Sequence, residues 1–99
     1  MIYHVTTQKN WEDALEHGAY AAPSLQLEGF IHMSMKHQVQ GVLERYYQGM
    51  NNLVLLHIDE SKLKAELKYE LSPSVNQEFP HLFGTLNVDA VVEVEPVKG

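Results

Sequence analysis

The sequence predicts a compact α+β domain with a mixed sheet and two main helices. Two observations carry that expectation. Segments of alternating and helical periodicity follow one another as β-α-β-α-β before several shorter strands. A nearly continuous apolar run, Leu53 to Ile58, then reads as a strand covered on both faces.

The elements follow in order. Ile2 to Thr6 alternates, with Ile2, His4 and Thr6 on one face and Tyr3 and Val5 on the other. A hydroxyl at Thr6 or Thr7 can cap the next helix, expected over Gln8 to His17, with Trp11, Ala14 and Leu15 at helical spacing and Gly18 as its stop. Ala19 to Glu28 reads as a connector containing Pro23. Gly29 to Met33 reads as a short strand, after which Ser34 is expected to cap a second helix. Val39, Val42, Leu43, Tyr46 and Tyr47 give that helix its apolar stripe, and Gly49 and Asn51-Asn52 end it. The two helices are long enough for right-handed crossovers between parallel strands. Beyond Ile58, Asp59 can cap one turn through Leu63, and Glu66 to Leu71 reads as a strand. Ser72 to Gly84, with two prolines, reads as an ordered loop, and Val88 to Val94 as a final strand closed by Pro96.

The chain has 99 residues, enough for one domain over 1–99 and a core that buries roughly 65% of the unfolded surface. Seven basic against thirteen acidic residues leave a net charge of −6, so neither nucleic acid nor an anionic membrane is expected as a partner. There is no cysteine, hence no disulfide, thiol nucleophile or thiolate metal site, which suits a cytoplasmic protein. The first residues lack the pattern of a signal peptide, and no apolar run approaches a membrane span.

Six histidines are the main chemical resource. Tyr3-His4-Val5-Thr6 and Ile31-His32-Met33-Ser34 share one design: a strand ends in a histidine, a hydroxyl follows two positions on, and a helix begins. Imidazole and hydroxyl then share a face beside free helix amides, a setting for a phosphate, a carboxylate or a ribose hydroxyl. The plainer reading makes Thr6 and Ser34 helix caps and the histidines hydrogen-bonded core residues. Phe79-Pro80-His81-Leu82-Phe83-Gly84 offers either a pocket wall or an apolar plug. Glu70 stands at a strand end as a candidate acid or base, or as a salt-bridge partner. His57 ends an apolar strand, as a core or a site residue. Glu93 and Glu95 share a strand face and read as solvated. His4, His32 and His81 could form a three-imidazole metal site, although no short ligand spacing supports one. Arg45 is the one arginine, which weakens any phosphate-binding reading.

Glu28-Gly29-Phe30-Ile31-His32-x-Ser34, Leu53-Val54-Leu55-Leu56, Leu67-Lys68-Tyr69-Glu70 and Phe79-Pro80-His81-Leu82-Phe83-Gly84 occur in that order. Together with Trp11 they resemble a small bacterial family, domain of unknown function 952, over about Ile2 to Val94. Phe83 stands where that family often has Tyr, and Thr85 where Pro is common. The resemblance implies an ADP-ribosyltransferase-like fold, a split mixed sheet with a nucleotide cleft, in which His4-Val5-Thr6 matches a ribose-orienting strand end.

Two functional expectations follow. In the first, the protein binds a nucleotide such as NAD or ADP-ribose and carries out ADP-ribosyl transfer or hydrolysis. His32 and Glu70 would then be catalytic, and His4, Thr6, Ser34, Phe79, His81 and Phe83 would contact the ligand, the two phenylalanines by stacking. The alternative is a non-enzymatic small-molecule or protein-binding module, for which exposure of Trp11, Tyr46 and Tyr47 is the discriminating feature.

Overall fold

The structure, a computed structural model, describes residues 1–99. The chain runs β1 (Ile2–Thr7), α1 (Gln8–His17), β2 (Ala19–Tyr20), α2 (Pro23–Glu28), β3 (Ile31–His32), α3 (Val39–Tyr46), β4 (Leu53–Ile58), β5 (Glu66–Ser72), β6 (Gln77–Phe83), β7 (Leu86–Asn87) and β8 (Val91–Val97). Short 3-10 turns precede α3, link β4 to β5 and precede β8. This is one α+β domain with two three-stranded sheets, β1-β4-β8 and β3-β6-β5, and a two-stranded ribbon, β2-β7.

Every strand pair is antiparallel, so the sheet is not mixed and the expected parallel crossovers do not occur. The chain visits β2, α2 and β3 before it returns, and β4 then lies against β1 from the opposite end. Burial of β4 on both faces holds despite the antiparallel pairing. Val54, Leu56 and Ile58 join Ile2, Trp11 and Leu82 in the larger core cluster. Leu53 and Leu55 join Tyr3, Val5 and Leu43 in a smaller one, against which Val39 and Tyr47 pack. The sheet therefore sits between α3 on one side and the main core on the other.

The first helix forms as its sequence dictates. Thr7 accepts from the Asn10 amide at 3.1 Å, Trp11 and Ala14 face inward, and Gly18 closes the last turn. Thr6 is not the cap. Ser34 does not cap the second helix either: its backbone pairs with Tyr3, and the following turn starts at Met35, whose amide donates to Gln38 Oε1 at 2.8 Å.

Three segments differ from the sequence reading. The connector before Glu28 contains both β2 and α2, because Pro23 supplies a preset φ at the first helical position. The final strand begins at Val91 after a 3-10 turn and runs through Pro96, which an edge strand tolerates. Of the expected proline-bearing loop, Pro73 to Asn76 is a turn, but Gln77 to Phe83 is β6, the centre of its sheet. The Pro80 carbonyl accepts from the Met33 amide at 2.9 Å. A residue's N–H and C=O point to the same side of a strand, so the donor missing at Pro80 faces the end of β3 and not the ladder to β5.

Candidate functional site

The two three-stranded sheets meet at one point. Tyr3 and Ser34 exchange backbone hydrogen bonds of 2.8 and 2.7 Å, which joins the edge of β1 to the segment just beyond β3. One residue further, a side chain replaces the backbone ladder: His4 Nδ1 lies 2.6 Å from the His32 carbonyl oxygen. A cleft of about 520 Å³ opens at this junction. Its walls are His4 and Val5 of β1, His32 to Ser34, Val42 and Tyr46 of α3 with the Tyr47 that follows, Leu71 and Ser72 at the end of β5 with Pro73 beyond, and Phe79 and His81 of β6.

His4 is enclosed, with 8% of its surface exposed. Burial pushes its imidazole from the ordinary 6.5 to about 4, and the His32 carbonyl, which favours the charged ring, offsets only part of that. The ring is therefore neutral at pH 7. A carbonyl can only accept, so Nδ1 carries the proton and Nε2 is the acceptor. The Tyr20 hydroxyl stands 2.9 Å from that Nε2 and 3.0 Å from Thr6 Oγ1. Burial raises the Tyr20 phenol to about 12, so it keeps its proton. His4, Tyr20 and Thr6 thus form a closed, satisfied network.

His32 and His81 have a different setting. His32 is exposed, and its Nε2 lies 2.9 Å from Glu28 Oε2. Gly29, at φ 88, turns the chain from α2 into β3 and brings the two together. His81 is buried on β6, with Nδ1 2.7 Å from Glu70 Oε1 on β5, one diagonal step along the ladder. The Phe30 ring stacks on His81 at 4.1 Å and 18°, and the His32 ring meets it edge-on at 5.3 Å. The result is two imidazoles side by side, each tied to a carboxylate, at the mouth of an apolar cleft. The carboxylate partners orient the rings. Such a pair can accept and donate protons to a bound molecule.

Of the residues singled out from sequence, His4, His32, Ser34, Phe79 and His81 line this cleft, and Glu70 stands behind His81. Thr6 lies in an adjoining cavity of about 290 Å³. Phe83 is absent from both walls: it packs on Phe30 at 5.3 Å, and the Lys68 ammonium lies 5.1 Å from its centroid. Stacking of Phe83 on a ligand in the cleft is therefore not supported. The three-imidazole metal reading fails on geometry, because both His4 nitrogens are already engaged. The His57, Glu93 and Glu95 side chains do gather, with His57 Nε2 2.9 Å from Glu95 Oε1 and 4.0 Å from Glu93 Oε2, but on the β4–β8 side of the sheet, outside the cleft.

Glu28, Phe30 and Tyr20 escaped the sequence reading as site residues. Glu28 four positions before His32 was the available signal, but a connector gave no reason to turn it inward. Tyr46 and Tyr47 stand in the sequence as part of an apolar stripe and as candidate interface aromatics, not as walls of a cleft.

The comparisons agree with this architecture. The crystal structure of protein CC0527 from Caulobacter crescentus is 31% identical, with a TM-score of 0.87, over 96% of this chain and 83% of that one. A double mutant of the same protein gives 30% identity and a TM-score of 0.87. Its solution structure gives 31% and 0.83, over 98% of this chain and 84% of that one. No curated protein matches. The family model described as "Protein of unknown function (DUF952)" matches residues 5–94, a span that takes in every cleft-lining strand except the first residues of β1. With nearly the whole chain matched, and Gly-Phe-Ile-His-x-Ser and Phe-Pro-His-Leu both at the cleft, this chain belongs to the DUF952 family.

Proposed function

We propose that the cleft binds a nucleotide such as NAD or ADP-ribose and serves an ADP-ribosyl-transfer or hydrolysis reaction at its ribose. The observation that carries this reading is the His81–Glu70 pair, 2.7 Å apart, set into the wall of a 520 Å³ cleft beside His32 and Ser34. A cleft of this size and apolar lining suits a ring plus a sugar. The ligand's ring lies among Tyr46, Tyr47 and Phe79, and its ribose hydroxyls meet Ser34 and His32. Glu70 holds the His81 imidazole ready to take the proton of an incoming hydroxyl as the bond from ribose to its leaving group breaks. The ADP-ribosyltransferase-like fold implied by the sequence resemblance supports the choice of ligand class.

Calorimetric titration with NAD and with ADP-ribose, on wild type, His32→Ala and His81→Ala, tests the proposal. Saturable binding that weakens about tenfold or more in both variants is expected. No binding to wild type, or equal binding to all three proteins, sinks it.

The non-enzymatic alternative has one observation in its favour. Tyr46 (64% exposed) and Leu71 (56%) line the cleft yet remain open to solvent, as a docking rim would. Against a broad protein interface, Trp11 is buried and Tyr47 half-buried. Ligand binding without release of any product would favour this alternative over the enzyme.

A further inference from the structure

We propose that the cleft recognises the nucleoside end of its ligand, ring and ribose, and gives no grip to the phosphates. This rests on the nucleotide reading above and narrows it to a substrate class.

The argument begins with what surrounds the ligand space. The larger cavity is walled by thirteen residues, none of them Lys or Arg. The smaller cavity adjoins it through His4, Val5, His32 and Tyr47, which line both. Its remaining polar walls are Thr6, Thr7, Asn10, Tyr20 and Ser24, again without a cation. Four of these are already engaged, Tyr20 and Thr6 in the His4 network, Thr7 with the Asn10 amide and Ser24 with the Phe30 carbonyl, so the sugar hydroxyls fall to Ser34 and His32 of the larger cavity. The larger cavity supplies ring faces in Tyr46, Tyr47 and Phe79. Ring faces and the Ser34 and His32 side chains thus stand in one chamber, and a nucleoside has the same two halves.

None of the chain's seven Lys and Arg side chains lines either cavity, and five of them have identifiable neighbours elsewhere. Lys9 pairs with Asp13 at 3.0 Å on α1. Lys68 lies by Phe83 and 3.9 Å from Glu66. Lys62 and Lys64 stand close enough to Asp89 to act on its carboxyl, on the loops at β5 and β7. The Arg45 guanidinium lies 5.7 Å from the ring centroid of Tyr46, a wall residue, and back along the helix against Gly41. The imidazoles do not replace them. His4 is enclosed and doubly bonded, and His32 and His81 each face a carboxylate, so a protonated ring is already balanced. A diphosphate would exchange water for a site without net positive charge, on a chain of net charge −6. The phosphates of a dinucleotide therefore remain in solvent while its nucleoside is held.

Calorimetry on the wild-type protein at neutral pH reads this directly, with adenosine and nicotinamide riboside set against ADP-ribose and NAD. The better nucleoside is expected to bind within about threefold of the better nucleotide, and neither affinity should change by more than about twofold between roughly 20 and 300 mM salt. Arg45→Ala, an exposed change that leaves the core untouched, should leave ADP-ribose affinity within about twofold. ADP-ribose binding tenfold or more tighter than both nucleosides and weakening with salt overturns the inference while leaving the nucleotide reading intact. So does a tenfold loss of ADP-ribose affinity in Arg45→Ala. Failure of all four compounds to bind overturns both.

Discussion

His4-Val5-Thr6 and His32-Met33-Ser34 share one pattern and have opposite fates. In the first, imidazole and hydroxyl turn into the protein, where Tyr20 connects them. In the second, the imidazole faces solvent against Glu28, and the Ser34 backbone joins the two sheets. The two copies even meet, since His4 Nδ1 is bonded to the carbonyl of His32. One copy has become the structural support of the other. The difference lies in what the strand's neighbours supply: β1 is packed beside Tyr20, whereas His32 stands on a two-residue strand at the edge of its sheet.

The largest expected effect tests that contrast by deletion. His4→Ala removes a buried ring and strands both the His32 carbonyl and the Tyr20 hydroxyl, at a cost of roughly 4 kcal/mol. His32→Ala removes an exposed ring and a solvent-screened pair, at a cost of about 0.5 kcal/mol or less. Urea unfolding of the two variants measures both. Equal losses would break the comparison.

Acid comes next. Folded His4 has a pKa of about 4 against an ordinary 6.5, so the unfolded chain binds the proton more readily and stability rises with pH across that window. Between pH 7 and pH 4 this one ring should remove about 3 kcal/mol of stability. His4→Gln should show a correspondingly shallower fall than wild type in unfolding curves taken across that range. An unchanged slope would mean that the ring is not held neutral.

Tyr20→Phe sharpens the contrast at smaller scale. It deletes the hydroxyl bridging His4 and Thr6 and should cost about 1 kcal/mol. It should also move the acid-unfolding midpoint, which Tyr69→Phe, a change at a partner of Glu60 outside the cleft, should leave in place. Thermal or urea unfolding at two pH values distinguishes them.

The sequence was legible where local rules act alone. Thr7, Trp11, Ala14 and Gly18 fix α1 through cap, apolar spacing and stop, and Gln8–His17 forms as read. The Leu53–Ile58 run is a central strand because a chain apolar on both faces has no other stable place. Local rules misled where a neighbour changes the rule. Pro80 argued for a loop, yet β3 is too short to need the donor that Pro80 lacks. Ser34 resembled a helix cap, but the edge of β1 claimed its backbone first. Phe79, His81 and Ser34 were recognisable as candidates for the site, whereas Glu28 and Phe30 became so only when Gly29 turned α2 into β3.

By itself, then, the sequence determined an α+β domain, its first helix and central strand, and the histidines from which a site is assembled, because periodicity, capping and hydrophobic burial depend on residues close in the chain. Tertiary structure alone decided that all strands are antiparallel, that one His-x-hydroxyl motif is sealed while its twin is open, and that Glu70 stands behind His81. Those outcomes depend on which groups arrive from distant segments, and a side chain's protonation and access are set by its neighbours in space.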